Sequence, residues 1–281
     1  MKFTLAITTI FLLSFLTMRP VLGESADREW DKLNREAKKL YLATKYDEAI
    51  VVAKKALQIA EKEGGLDHPD VATSLHNLAY IYRIQGKYAQ AEPLYKRAIA
   101  VREKTLGSEH LDVATSLDTL AMLYAAQGQY AKAEPLNKRA LAIFEYTLGP
   151  DHPEVAAILS NLALTYKEQD QYAQAEPLYK RALAINEKTL DPEDPEVIQS
   201  LNNLAGIYFE LDEFAKAEPL LKHVLVMNEK TLGEKHPDVA ASLESLAKLY
   251  RATKRDEEAE KLKQQAAGIR ELIKQAAEGE R

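Results

Sequence analysis

"HPDVATSLHNLAYIYRIQGKYAQAEPL" spans His68–Leu94. The phrase returns as "HLDVATSLDTLAMLYAAQGQYAKAEPL" at His110–Leu136 and as "HPEVAAILSNLALTYKEQDQYAQAEPL" at His152–Leu178. Its first slot holds His68, His110, His152, Asp194 and His236, a step of 42 residues each time. Self-similarity at a fixed period is the mark of a repeat array. Inside one copy, Val71, Leu75, Leu78 and Tyr82 are spaced to share one face of a helix. Tyr88, Ala91, Tyr95 and Ala98 mark a second helix. Between them stands Gly86, matched by Gly128, Asp170, Asp212 and Lys254. The first four of these are the residue types that best tolerate a left-handed turn. Each copy is therefore predicted to be two antiparallel helices on a tight turn.

Small residues recur with the same step. Ala37, Ala79, Ala121, Ala163, Ala205 and Ala247 form one column, and Ala49, Ala91, Ala133, Ala175, Ala217 and Ala259 another. Such columns let helix backbones approach, where larger side chains would force them apart. Tyr82, Tyr124, Tyr166, Tyr208 and Tyr250 fill the neighbouring space and read as repeat core.

The signature slots Leu75, Leu78, Ala79, Tyr82, Gly86, Tyr88, Ala91, Tyr95 and Ala98 resemble the tetratricopeptide repeat (TPR). The period and the phrase "AEPLYKRAL…KTLG…HPDVA" are similar to the longer subtype of kinesin light chains and nephrocystin-like proteins. The resemblance covers roughly residues 26–271 as six units. It implies an all-α, right-handed superhelical solenoid of antiparallel helix pairs, with a concave face used for peptides or partner proteins. The expected organisation is a signal peptide over 1–23, a solenoid over 24–271 and a charged helical end or tail over 272–281.

Both ends depart from the pattern. Glu36 replaces the leucine of the Leu78 slot, Asp256 the Tyr88 slot and Lys263 the Tyr95 slot. Polar terminal units suit a solenoid whose last faces meet water. Pro93, Pro135, Pro177 and Pro219 break a local rule by sitting inside the second helices. A proline there removes a hydrogen bond and costs roughly 3 kcal/mol in a regular interior. A bend or irregular first turn is expected.

The opening "MKFTLAITTIFLLSFLTMRPVLGES" is a different material. Lys2 is followed by an apolar run from Phe3 to Met18, then by Arg19, Pro20 and the cleavage-like Val21-Leu22-Gly23. This is the plan of a secretory signal peptide. A spanning helix needs about 20 apolar residues, which makes an uncleaved anchor the weaker alternative. The expected location is exported: periplasmic or secreted in a bacterial source.

Composition narrows the chemistry. The chain is 46% hydrophobic and 28% charged, enough for a core and unlike a disordered chain. It lacks cysteine, which excludes disulfides, thiolate nucleophiles and cysteine zinc sites. Its net charge is -6, and an acidic chain without a basic block argues against nucleic acid as a partner. After signal cleavage no membrane association is expected.

The recurring histidine is the tempting catalytic or metal residue, since an acid follows two positions later at Asp70, Asp112, Glu154 and Asp238. Equivalent slots on stacked helices are about 8–10 Å apart, and zinc ligands must lie within about 2.1 Å of the ion. Helix initiation fits better. Pro69, Pro153 and Pro237 occupy an early helical position, and the acids fall in the first turn, favoured by the helix dipole. The histidine itself is expected to pack the long loop. His76 projects from a first helix and is expected within reach of a ligand; His223 takes the Arg97, Arg139 and Arg181 slot on the outer surface. The sequence contains no Walker loop, GxGxxG, HExxH or GxSxG motif. No enzymatic activity, metal or cofactor is expected.

Several first-helix slots face the concave side in the family. One holds Asn77, Thr119, Asn161, Asn203 and Ser245; a second Tyr80, Met122, Leu164, Gly206 and Lys248; a third Arg83, Ala125, Lys167, Phe209 and Arg251. The candidate peptide-binding set is Asn77, Tyr80, Arg83, Thr119, Met122, Asn161, Leu164, Lys167, Asn203 and Phe209. Amides there would hold an extended backbone, or else satisfy the neighbouring repeat. Two function classes follow: an exported scaffold that binds a peptide or partner protein, and a self-associating structural repeat with no peptide ligand.

Overall fold

The computed structural model describes residues 28–279; the expected signal peptide over 1–23 lies outside the described residues. Twelve α-helices and no strands occur among the described residues. The chain forms two compact units, divided between Pro150 and Asp151. The first contains α1 (Glu29–Leu42), α2 (Tyr46–Gly64), α3 (Pro69–Ile84), α4 (Tyr88–Leu106), α5 (Leu111–Ala126) and α6 (Tyr130–Leu148). The second contains α7 (Pro153–Lys167), α8 (Tyr172–Thr189), α9 (Pro195–Glu210), α10 (Phe214–Leu232), α11 (Pro237–Ala252) and α12 (Asp256–Gly279). Within each unit every helix packs against the next, giving three antiparallel pairs. The last helix continues through most of the expected 272–281 tail.

The recurring histidine caps its helix directly. The backbone N–H of Asp70, Asp112, Glu154 and Asp238 donates to Nδ1 of His68, His110, His152 and His236 at 3.1–3.2 Å. An accepting Nδ1 places the imidazole proton on Nε2. Asp194 does the same job with a carboxylate oxygen, 2.8 Å from the Glu196 N–H. The expectation of loop packing is thus refined: the ring supplies the acceptor that serine or aspartate gives an ordinary N-cap.

The turn inside each helix pair passes through one left-handed residue. Gly86 and Gly128 take it without penalty, and Thr44, Asp170, Asp212 and Lys254 adopt φ of 57–60°. The four prolines do not interrupt their helices, which run unbroken from Tyr88, Tyr130, Tyr172 and Phe214. The carbonyl each proline leaves unpaired belongs to Ala89, Ala131, Ala173 or Ala215. All four alanines and all four prolines are exposed, so water replaces the missing donor.

The alanine columns lie in the core, as the packing argument requires. Beside them runs a polar seam that joins successive pairs, from α1 to α3 through Trp30 and from α4, α8 and α10 to the first helix that follows each. Trp30 Nε1 donates to Ser74 Oγ at 2.8 Å, Asn186 Nδ2 to Ser200 Oγ at 3.0 Å and Asn228 Nδ2 to Ser242 Oγ at 2.9 Å. Arg102 fills the same slot and donates to Ser116 Oγ and to the Asp112 carbonyl. Outer ion pairs repeat too: Lys104–Asp67, Lys188–Asp151 and Lys230–Glu193 each join residues 37 positions apart. Arg97–Glu61 and Arg139–Glu103 occupy the outer arginine slot, and His223 is exposed there.

Candidate binding face

From α3 onward the first helix of each pair buries Val71, Leu75, Leu78 and Tyr82, or their counterparts, in the core. The slots between those positions form the candidate face. Its two stretches, one per unit, differ in how much of their side-chain surface is accessible.

In the first unit the face is largely filled from within. Tyr80 is 3% exposed; its ring meets Tyr41 edge-on with centroids 5.5 Å apart, and the two hydroxyls lie 3.3 Å apart. Burial, aided by the Tyr80 hydrogen bond, pushes the Tyr41 phenol up to about 12. The Arg83 guanidinium sits 5.0 Å from the Tyr80 ring centroid. Asn77 Nδ2 donates to Asn34 Oδ1 of the preceding pair at 3.3 Å, so this amide serves its neighbour. Thr119 is fully buried and its hydroxyl donates to the Thr115 carbonyl at 2.8 Å. As placed, that group is turned into its own helix and offers nothing to a ligand. Met122 is partly accessible.

His76 is also internal. It is 5% exposed, its ring lies 5.4 Å from that of Tyr95, and Nδ1 has no hydrogen-bond partner among the described residues. Burial first, then the Arg102 and Arg83 charges, hold its pKa well below the ordinary histidine value. The expectation that His76 reaches a ligand is corrected: the ring is a neutral core group. Tyr95 is likewise buried, and burial raises its pKa.

The second unit keeps an open face. Asn161, Leu164, Lys167, Asn203 and Phe209 are all partly accessible. Asn203 Oδ1 accepts from Gln199 Nε2 at 2.9 Å. Phe209 meets Phe214 edge-on at 5.4 Å, and Lys248 Nζ stands 4.1 Å from the Phe209 ring centroid. Arg251 pairs with Glu260 at 3.3 Å. Among the described residues no group of three or more His, Asp or Glu could hold a metal ion, and no helix is long and apolar enough to cross a membrane.

Tetratricopeptide-repeat family models match residues 37–104, 73–145, 112–188 and 196–271, and a second such model matches 160–229. The chain belongs to the tetratricopeptide-repeat family. It is similar to the kinesin light chain-like, nearly identical TPR-like repeats of Podosopora anserina, with 34% identity and a TM-score of 0.67. That match covers 73% of this chain and 98% of the other. The fold is also similar to BtubC (BKLC) from P. vanneervenii, at 22% identity and a TM-score of 0.68, over 88% of this chain and 93% of that one. No curated protein matches the chain. TPR arrays are protein–protein interaction scaffolds, generally without enzymatic activity, and bind protein partners.

Sequence reasoning missed the seam of Asn–Ser bonds and the closure of the first unit's face. The serines Ser74, Ser116, Ser200 and Ser242 do share one slot of the repeat, but their partners change type from Trp to Arg to Asn. A bond between residues 14, 39 or 43 positions apart depends on which rotamer points across the gap. The Tyr41–Tyr80 pair was open to detection, since two aromatics fall in adjoining first-helix slots.

Proposed function

We propose that this TPR protein is an exported scaffold that holds an extended segment of a partner protein along its first helices. The observation that carries the reading is the accessible row Asn161, Leu164, Lys167, Asn203 and Phe209 on helices whose other faces are buried. Amides spaced by whole repeats can bond a peptide backbone without reading its side chains, and flanking cations favour acidic ones. Export rests on the pattern of residues 1–23.

Two measurements test this. N-terminal sequencing of the protein recovered outside the cytoplasm should begin at Glu24; an intact Met1 end in a membrane pellet refutes cleavage. Partners captured from the exported fraction on the wild type are compared by calorimetry with the Asn161→Ala/Asn203→Ala variant. Loss of two neutral hydrogen bonds weakens binding by about 1–3 kcal/mol, roughly five- to a hundred-fold. Unchanged affinity in a folded variant removes the first-helix face from the function.

A further inference from the structure

Three junctions between successive repeats are closed on their outer side by the same ion pair. Lys104 reaches Asp67, Lys188 reaches Asp151 at 2.6 Å and Lys230 reaches Glu193, each 37 positions back. In the same register Tyr146 takes the lysine slot and Glu109 the acid slot. The acid is kept and its lysine is not. At the last junction both change, to Lys235 and Leu272, so no acid stands in that slot.

The loop that carries Glu109 is tied to α6. Arg139 donates to the Ser108 carbonyl at 3.1 Å. Tyr146 follows Arg139 by two helical turns, about 10 Å along the same helix face. Among the described residues the exposed Glu109 carboxylate accepts only from the Ser108 hydroxyl, at 3.1 Å, and has no cationic partner. Tyr146 is 85% exposed, and neither its ring nor its hydroxyl has a partner among the described residues. The end of α6 is also short of positive charge. Its last turn has no basic residue, whereas α4, α8 and α10 each carry a lysine there. A helix C-terminus favours a cation, so the ring, the carboxylate and the helix end all ask for the same charge.

We propose that Tyr146 and Glu109 form a docking point for a lysine side chain from a basic segment of a partner protein. The incoming ammonium takes the place that Lys104, Lys188 and Lys230 fill from within the chain. It pairs with Glu109, lies against the Tyr146 ring and faces the negative end of α6. The docking point lies on a second helix and the loop before α5, apart from the first-helix face, and it does not depend on that face binding anything.

The test uses the full chain and a Gly-Ser decapeptide carrying three Lys and an uncharged fluorescent dye, with its acetyl-lysine counterpart as control. Anisotropy at low salt should show the lysine peptide binding about tenfold or more tightly than the acetylated one. Tyr146→Ala and Glu109→Gln should each weaken the lysine peptide about two- to fivefold. Tyr146→Lys supplies the cation from within. It should weaken the peptide about fivefold or more without lowering the melting temperature. Asp67→Asn is the charge control: it removes a carboxylate that Lys104 already holds and should leave affinity unchanged. Asn161→Ala/Asn203→Ala should also bind the lysine peptide as the wild type does. An Asp67→Asn loss equal to that of Glu109→Gln means that the peptide reads net charge alone and overturns the proposal. So does full affinity in Tyr146→Ala or Tyr146→Lys, or no binding of the lysine peptide to the wild type. A loss confined to Asn161→Ala/Asn203→Ala places the peptide on the first-helix face, and the docking point fails while that reading stands.

Discussion

Ser242→Ala is expected to destabilise the protein more than its size suggests. The hydroxyl accepts from Asn228 Nδ2 at 2.9 Å and donates to the Asp238 carbonyl at 2.9 Å, and both side chains are buried. Removing it strands one amide donor between α10 and α11. A stranded buried donor costs about 1–3 kcal/mol, more than the net value of the bond. In a protein of this size each kcal/mol shifts the melting temperature by about 2–4 °C, so the expected drop is roughly 2–12 °C. Asn228→Leu leaves Ser242 bonded to its own helix, so it should cost less, within about 1 kcal/mol. The double variant removes donor and acceptor together and should recover most of the Ser242→Ala loss. The chain already carries an apolar version of these two slots, Phe144 and Ile158, each buried in its own unit. The assay is a double-mutant cycle by urea unfolding, with melting curves as a check. Ser242→Ala within 0.5 kcal/mol of the wild type, or strictly additive losses in the double variant, would refute the stranded-donor reasoning.

Three further outcomes are expected. Thr44 holds φ of 58° with a branched side chain. Thr44→Gly should therefore raise stability by about 1 kcal/mol in the same urea titration. Ala163 is fully buried, and Ala163→Leu should cost about 1–3 kcal/mol by overpacking, whereas the exposed Ala173→Leu should stay within about 0.5 kcal/mol. His76 is held neutral in the folded protein, with its pKa depressed by burial. The unfolded chain takes up that proton below about pH 6.5, so stability falls as the pH drops from 7.5 towards 5. His76→Leu should flatten that slope in melts across the range, and an unchanged slope would assign the acid loss to other groups.

Much of the architecture was legible because repetition amplifies weak signals. A single Leu75 or Tyr82 says little, but the same types at a constant step place helices, turns and core columns together. The left-handed slot was read at Gly86 and Gly128 and its aspartate replacements. The structure extends it to Thr44 and Lys254, where the residue type argues against it and tertiary packing decides. The histidine was correctly placed at helix starts, but the acceptor role of Nδ1 was invisible, since it depends on one ring torsion. The prolines looked costly because their exposure could not be read from spacing. On the candidate face, position was legible and availability was not. Asn77 and Thr119 share a slot with Asn161 and Asn203. One is bonded to Asn34 and the other is turned into its own helix.

Two of the bonds that join successive repeats span the same number of residues. Asn186 lies 14 positions before Ser200, as Asn228 lies 14 before Ser242. Excising residues 194–235 would leave Asn186 that same distance from Ser242, with His236 in the place of Asp194. The joint would be rebuilt from the same amide and the same hydroxyl. A gene encoding this array can therefore gain or lose a whole period by unequal recombination and keep this bond at the new junction. Length is then free to follow the size of the partner, while the composition of each period stays under the constraint of packing.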